Sequence, residues 1–378
     1  MASSSVSCLG VACTIECDDA EIVQQVVDAY PSCATDRTDG HRLRLERGAD
    51  GSYALQVDGA SVTHMATRSL AFAQLVWEIN QLVVHAPTRY LLVHAAAAVR
   101  DRRAALIVGA SGAGKSTLVA ALAAAGWGYL TDEVSAIDLE TGTVQPYPKP
   151  IALDRRSRLL LHVDAGPDIV AGHAPDEHAP DDAQVKRPIA VGTLGGYAGE
   201  AAPLSVIVMP SIAGAAPVEP ITRAAAMMGI AEQCFNLAER GANGFSGLAA
   251  LVRATTVAEI ALGDLDHAVA RLAAEVPSPG ASGASGVNTS PPGASGASGV
   301  NTVEEFDGEL VILDRASMRL HHLNAAAALV WHACDGASTL EEVVAALASA
   351  TERERDEIRP EIAEAVEQLT ARGLLGLW

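Results

Sequence analysis

Gly109-Ala-Ser-Gly-Ala-Gly-Lys-Ser116 follows the apolar run Ala104-Ala-Leu-Ile-Val108 and leads into Thr117-Leu-Val-Ala-Ala-Leu-Ala-Ala-Ala125. The stretch satisfies G-x-x-x-x-G-K-[ST] in full, and its surroundings read as a buried strand, a glycine-rich turn and a helix. Glycines let the backbone curl until successive N–H groups point at phosphate oxygens, and the helix N-terminus adds partial positive charge. The expected cradle is Gly109, Ala110, Ser111, Gly112, Ala113, Gly114, Lys115, Ser116 and Thr117. Lys115 is expected at the β- and γ-phosphates and the Ser116 hydroxyl on Mg²⁺. The chain has only three lysines, Lys115, Lys149 and Lys186, and one of them stands where the pattern requires it. A site for ATP or GTP follows.

The rest of the composition narrows the setting. The 378 residues suggest more than one domain, and 49% hydrophobic residues are ample for cores. A net charge of −20 argues against nucleic acid and against anionic membrane surfaces. The N-terminus lacks a basic segment, and no apolar run approaches ~18 residues, so neither a signal peptide nor a membrane span is expected. Cys8, Cys13, Cys17, Cys33, Cys234 and Cys334 form no C-x-x-C pair and read as reduced, buried thiols. A cytoplasmic protein is expected.

Around the phosphate loop, residues 41–46 and 53–57 alternate as strands, and residues 69–84 read as a helix with Leu70, Ala73, Trp77 and Asn80/Gln81 near helical spacing. Residues 91–99 and 104–108 are strands about the turn Arg100-Asp-Arg-Arg103, with further strands at 127–130, 134–139 and 204–209. Residues 162–187, rich in Asp, Pro and His, read as a long exposed loop, and 224–237 and 256–274 as helices. Strands outnumber regular β-α-β units, so an α/β domain with a mixed sheet is expected. Gly280-Ala-Ser-Gly-Ala-Ser-Gly-Val-Asn-Thr289 recurs at 293–302, a small, polar repeat suited to a flexible tether with a reach of roughly 25–30 Å. Beyond it, residues 309–313 and 318–322 make a hairpin, and Asn324, Thr339 and Gly373 punctuate three helices, which suggests a small α+β winged-helix domain. The expected organisation is residues 1–89 as an N-terminal α+β subdomain, 90–276 as the phosphate-loop domain, 277–302 as linker and 303–378 as the C-terminal domain.

Val93-His94-Ala95, the phosphate loop, and Gly126-Trp-Gly-Tyr-Leu-Thr-Asp132-Glu133 together resemble the catalytic domain of HPr kinase/phosphorylase and its relatives. The resemblance spans roughly residues 90–210. It implies a P-loop kinase with ATP and Mg²⁺, in which Asp132 is the general base, Glu133 and Asp132 with Ser116 hold the metal, and His94 and Lys115 serve the transferring phosphoryl group. It also implies a homo-oligomer. Glu133 stands where the family usually has aspartate, and the family's phosphorylase signature is not recognisable, Val191-Gly-Thr-Leu-Gly-Gly196 being a glycine-rich substitute; neither the reverse reaction nor HPr as substrate is carried over. Lys149, Arg155, Arg156, Lys186 and Arg187 read either as contacts for phosphate or an acidic peptide or as ordinary surface charges. His162, His173 and His178 with Asp164, Asp168, Asp176 and Glu177 lack regular metal-ligand spacing.

Leu323-Asn-Ala-Ala-Ala-Ala-Leu-Val-Trp331, Asp335-Gly-Ala-Ser-Thr-Leu-Glu-Glu-Val343 and Leu369-Thr-Ala-Arg-Gly-Leu-Leu375 resemble PqqD-type domains, which recognise ribosomally made precursor peptides. The resemblance implies a leader peptide added as a strand along residues 318–322 and packed on the helix at 361–369. Glu341 and Glu342, with no nearby lysine or arginine, speak against DNA binding there. The combined expectation is an ATP-dependent kinase of a Ser or Thr hydroxyl in a precursor peptide. Its alternatives are a kinase of another protein or of a small hydroxylated metabolite, and a nucleotide-gated peptide chaperone that transfers no phosphate.

Overall fold

The computed structural model describes residues 1–30, 32–163, 186–211, 220–276, 301–334 and 336–375. In chain order, β1 (Ala2–Cys8), β2 (Val11–Cys17), α1 (Ala20–Ala29), β3 (His41–Arg47), β4 (Tyr53–Val57), β5 (Ala60–Met65) and α2 (Arg68–His85) lead to a long hairpin of β6 (Leu91–Arg100) and β7 (Arg103–Val108). Helix α3 (Lys115–Ala124), β8 (Gly128–Thr131), β9 (Val134–Asp138), β10 (Thr143–Gln145), β11 (Ile151–Leu153), α4 (Arg155–Leu160), β12 (Arg187–Ile189), β13 (Tyr197–Ala198) and β14 (Ala202–Ser211) follow. Then come α5 (Arg223–Glu232), α6 (Leu237–Ala254), β15 (Thr256–Ala261), α7 (Leu265–Glu275), β16 (Asn301–Phe306), β17 (Glu309–Asp314), β18 (Arg319–Leu323), α8 (Ala325–Ala333), α9 (Leu340–Thr351) and α10 (Arg355–Ala371).

These elements form two compact units. The first holds β1 to β14 with their helices, Gln233–Asn236, and residues 258–276; the second holds Pro220–Glu232, Leu237–Val257 and the described residues from 301 onward.

In the first unit, β1-β2-β3-β4-β5 make one sheet, antiparallel except for the parallel pair β2/β3. Its core gathers Cys8, Cys13, Cys17, Cys33 and Tyr30 with Ile22, Leu75 and Ile79 from α1 and α2. The second sheet runs β13-β8-β6-β7-β14-β10-β9, with β15 on β14, and mixes parallel pairs (β7/β14, β8/β13) with antiparallel ones. β6 has three neighbours because it is long: residues 91–94 pair with β9 and residues 97–99 with β8. That handover occurs where Thr131-Asp-Glu133 joins β8 to β9.

The structure departs from the sequence reading in several places. Residues 256–261 are strand, not helix: Ala258 and Ile260 face the core while β15 pairs with β14, and the helix starts after Asp264, whose side chain accepts from the His267 N–H at 2.9 Å. Residues 233–236 interrupt the helix expected over 224–237. His94 N donates to Gln233 O (2.7 Å), Phe235 N donates to Leu92 O (2.9 Å), and Asn236 Oδ1 accepts from Leu92 N (3.0 Å). On α2 the buried row is Ala71, Leu75, Val76, Ile79, Asn80 and Val83, leaving Leu70 and Trp77 about half exposed. The helix is apolar on most sides, so periodicity alone does not choose the row that meets the sheet.

The second unit carries the three-stranded antiparallel sheet β16-β17-β18. Helices α8, α9 and α10 close over Leu310, Ile312 and Leu323, and α5 and α6 also pack on the sheet. The caps are those read from the sequence: Asn324 accepts from Ala327 N, and Thr339 forms a capping box with Glu342. Asn301 and Thr302, expected in the linker, already pair with Asp314 and Leu313. The remainder of that linker and residues 164–185, with His173, His178, Asp164, Asp168, Asp176 and Glu177, lie outside the described residues.

Candidate functional site

Strand β7 delivers the phosphate loop to the end of α3. Gly112 (φ 83°) and Gly114 (φ 87°) are left-handed, the latter serving as the N-cap of α3. That conformation costs an L-residue roughly 1–2 kcal/mol, which explains glycine at position 114. A Cβ there would also come within 2.4 Å of Leu262 Cδ1. The Lys115 ammonium donates to the carbonyls of Gly109 (2.7 Å) and Ala110 (3.1 Å), and Thr117 Oγ1 lies 2.7 Å from Ser157 Oγ of α4.

A cavity of about 510 Å³ opens over this loop. Ser111 to Thr117 form its floor, and His94, Asp132 and Glu133 enter from the β6/β8/β9 corner. Arg156, Lys186 and Leu262 complete the wall. The two expected motifs and the phosphate loop, up to 39 positions apart in sequence (His94 to Glu133), therefore line one cavity. Arg155 and Arg187 are not among its lining residues.

Lys149 is the residue whose setting the sequence did not disclose. Read as a loop cation, it is 2% exposed, with Nζ 2.8 Å from Asp132 Oδ1, 3.0 Å from Glu133 Oε2 and 3.3 Å from the Pro150 carbonyl. Asp132 Oδ1 also accepts from the Tyr129 hydroxyl (3.0 Å), and Oδ2 from the Ala152 N–H (2.9 Å). Burial pushes the Asp132 carboxyl up, but the Lys149 ammonium and these hydrogen bonds outweigh it, so the group sits below its ordinary range and is ionised. Lys149 is held above its ordinary value: burial opposes its charge, and Asp132 and Glu133 override burial. The signal available in sequence was scarcity, a lysine within Pro146-Tyr-Pro-Lys-Pro150 in a chain with three.

His94 is lowered by burial and then by Lys115, which makes it a neutral imidazole at pH 7. It packs edge-on against Phe235 with ring centroids 6.0 Å apart. Lys115 is likewise lowered, by burial first and by Lys186 second.

The residues fit a polyphosphate: a left-handed glycine turn, a helix N-terminus and a partly desolvated ammonium share one cavity wall. They also fit Mg²⁺ held in the manner of nucleotide sites. No cluster of three or more His, Cys, Asp or Glu suited to a metal occurs among the described residues, and Mg²⁺ commonly takes one or two protein ligands with phosphate oxygens and water. Ser116 and Glu133 line the cavity, Glu133 having a half-open side chain, whereas both Asp132 oxygens already have partners.

The second unit has its own groove, about 180 Å³, between the end of β18 and helix α10. His322, Leu323, Ala327, Ala365, Leu369 and Arg372 line it, together with Asn324 and Gln368. Of the expected edge at 318–322 it touches His322, and of the expected helix at 361–369 it touches Ala365, Gln368 and Leu369. The sheet's two edges differ. On β16, the Arg253 guanidinium donates to the Glu305 carbonyl (2.9 Å), pairs with Glu304 (2.8 Å) and lies over Phe306 (4.7 Å to the ring centroid). Among the described residues, strand β18 pairs only with β17.

Residues 309–375 match the family described as coenzyme PQQ synthesis protein D (PqqD) and form a PqqD domain. Among solved structures, one described as "TbiB1 in Complex with the TbiA(beta) Leader Peptide" aligns with 22% of this chain and 96% of its own, at 19% identity and a TM-score of 0.20. No curated protein matches the chain. No described helix is long and apolar enough to cross a membrane.

Proposed function

We propose that this chain is an ATP-dependent kinase that phosphorylates a Ser or Thr hydroxyl of a ribosomally made precursor peptide held by its PqqD domain. The observation that carries the catalytic half is the one 510 Å³ cavity lined by residues 111–117 of the phosphate loop, His94 and the Asp132-Glu133 pair. The PqqD match and the open β18 edge support the peptide half.

Phosphoryl transfer is mainly positioning and charge stabilisation. Loop N–H groups and Lys115 hold the β- and γ-phosphates. Mg²⁺, when bound through Ser116 and Glu133, neutralises charge on the phosphate oxygens. The peptide hydroxyl oxygen forms the new bond to γ-phosphorus as the bond to the ADP oxygen breaks, and the hydroxyl proton passes to the Asp132 carboxylate. Asp132 is a weak base beside Lys149, which suffices for a loose transition state in which that proton leaves late. Neutral His94 donates to, or accepts from, the groups around the γ-phosphate without adding charge.

The full engagement of Asp132 also favours a second reading, a nucleotide-gated peptide chaperone that binds ATP and peptide without transfer. Purified protein with γ-labelled ATP, Mg²⁺ and any short peptide encoded beside its gene separates them by mass spectrometry. A gain of one phosphate, lost in Lys115→Ala and Asp132→Asn, is expected. Binding of both ligands with no mass gain would establish the chaperone reading.

A further inference from the structure

The β18–α10 groove has a chemical polarity that its fold does not require. Its floor is apolar, built from Leu323, Ala327, Ala365 and Leu369. Two arginines stand near it: Arg372 lines the groove from the end of α10, and Arg319, outside the lining, opens β18 three residues before His322. Neither has an ion-pair partner among the described residues, although the chain carries 46 carboxylates and most other exposed arginines of this unit are paired: Arg223 with Asp307, Arg253 with Glu304, Arg353 with Glu357 and Glu361, Arg359 with Glu341. Both guanidiniums act on His321, midway along β18, whose imidazole is lowered by burial and then by their two charges, with Asp314 opposing. Of the nearby carboxylates, Glu309 faces His322 (3.2 Å) and Glu364 accepts from Gln368 (3.1 Å), while Asp314, opposite Arg319 in the β17/β18 register, makes its hydrogen bond with the Ser317 hydroxyl and no ion pair with the guanidinium.

We propose that the peptide strand received by this groove carries an acidic side chain that seats between Arg319 and Arg372, next to an apolar side chain lodged against Leu323 and Leu369. This rests on the peptide-docking reading above and adds the chemistry of the peptide to it. Two unpaired guanidiniums in a chain of net charge −20 form a local cationic site, and a carboxylate presented by an added strand satisfies them with charge-assisted hydrogen bonds. The capped β16 edge leaves β18 as the edge on which a strand can be added.

The test uses the full-length chain and a random 12-residue peptide library displayed on its encoding RNA, selected in parallel against the wild type, Arg319→Gln/Arg372→Gln and Leu369→Asp. The expected result is a wild-type motif pairing one Asp or Glu with an apolar position. The acidic preference disappears in the double arginine variant while the apolar one persists, and Leu369→Asp enriches neither. A labelled wild-type winner should lose about two- to fivefold in affinity for each arginine removed, as exposed charge pairs do, and should lose less at high salt. A motif with apolar positions only, identical in wild type and the arginine variant, overturns the acidic seat and leaves peptide docking intact. No motif in any arm, with circular dichroism showing all proteins folded, overturns peptide docking itself.

Discussion

Lys149 holds together the corner on which the catalytic proposal depends. Two carboxylates on adjacent residues, one of them buried, need a cation, and the cation itself has no access to water. Removing one partner of a buried pair typically costs about 3–5 kcal/mol, because the survivor stays charged without compensation. Lys149→Met and Asp132→Asn should therefore each destabilise the protein by about that much in urea unfolding, and the double variant by clearly less than their sum. The pH dependence follows from the directions of the two shifts. The lowered Asp132 contributes stability that is complete above its ordinary value of 3.8 and fades as pH falls through its folded value. The raised Lys149 contributes stability that is complete below its ordinary 10.5 and fades as pH rises through its folded value. Wild type minus double variant should thus plateau between those limits and fall at both ends, measurable as thermal midpoints across pH. Position 132 was singled out only through the resemblance to HPr-kinase-like domains, and the fold places it in the cavity wall. Its ion pair was not legible, because nothing local in Pro146-Tyr-Pro-Lys-Pro150 reveals which carboxylates lie across the fold.

At the scale of elements, the strand–loop–helix unit from Arg103 to Ala124 was readable because each part follows a local rule: an apolar run, glycines where φ is positive, and a good helix former after them. The same holds for the β17–β18 hairpin and the Asn324 and Thr339 caps. Long-range pairing was not readable. Residues 256–261 are strand because β14 has a free side, and 233–236 leave the helix because β6 offers hydrogen bonds there. Residues 1–17 gave no strand signal in the sequence reading, though β1 and β2 pair along seven residues. The loop also makes a direct prediction. Gly114→Ala forces an L-residue to φ near 87° and pushes on Leu262, so nucleotide binding should weaken about tenfold, corresponding to the roughly 1–2 kcal/mol of left-handed strain. Titration with a fluorescent ATP analogue checks it, and Gly10→Ala, at a surface turn with open space around its Cβ, serves as the control that carries backbone strain remote from the cavity.

For the whole molecule, the second unit begins earlier in the chain than its family match does. Helices α5 and α6 pack on β16, β17 and β18, so a fragment starting at residue 301 lacks helices that cover part of its own sheet. Such a fragment should exchange the amide hydrogens of β17 faster than the full chain, and bind a hydrophobic dye, both measurable directly. Excising 303–378 to test peptide dependence removes a strand partway along β16 and uncovers α5 and α6, which makes exposed groove variants such as Arg372→Gln the cleaner tools. The unequal edges of the three-stranded sheet set a further limit, on stoichiometry. One side ends in the Arg253 guanidinium over Glu305 and Phe306, and the other is open. A strand laid on β18 therefore takes the one unblocked edge that the described sheet offers, and because β16 is blocked the addition cannot propagate from chain to chain through both edges. Saturation belongs at one peptide per chain, and calorimetric titration should count it.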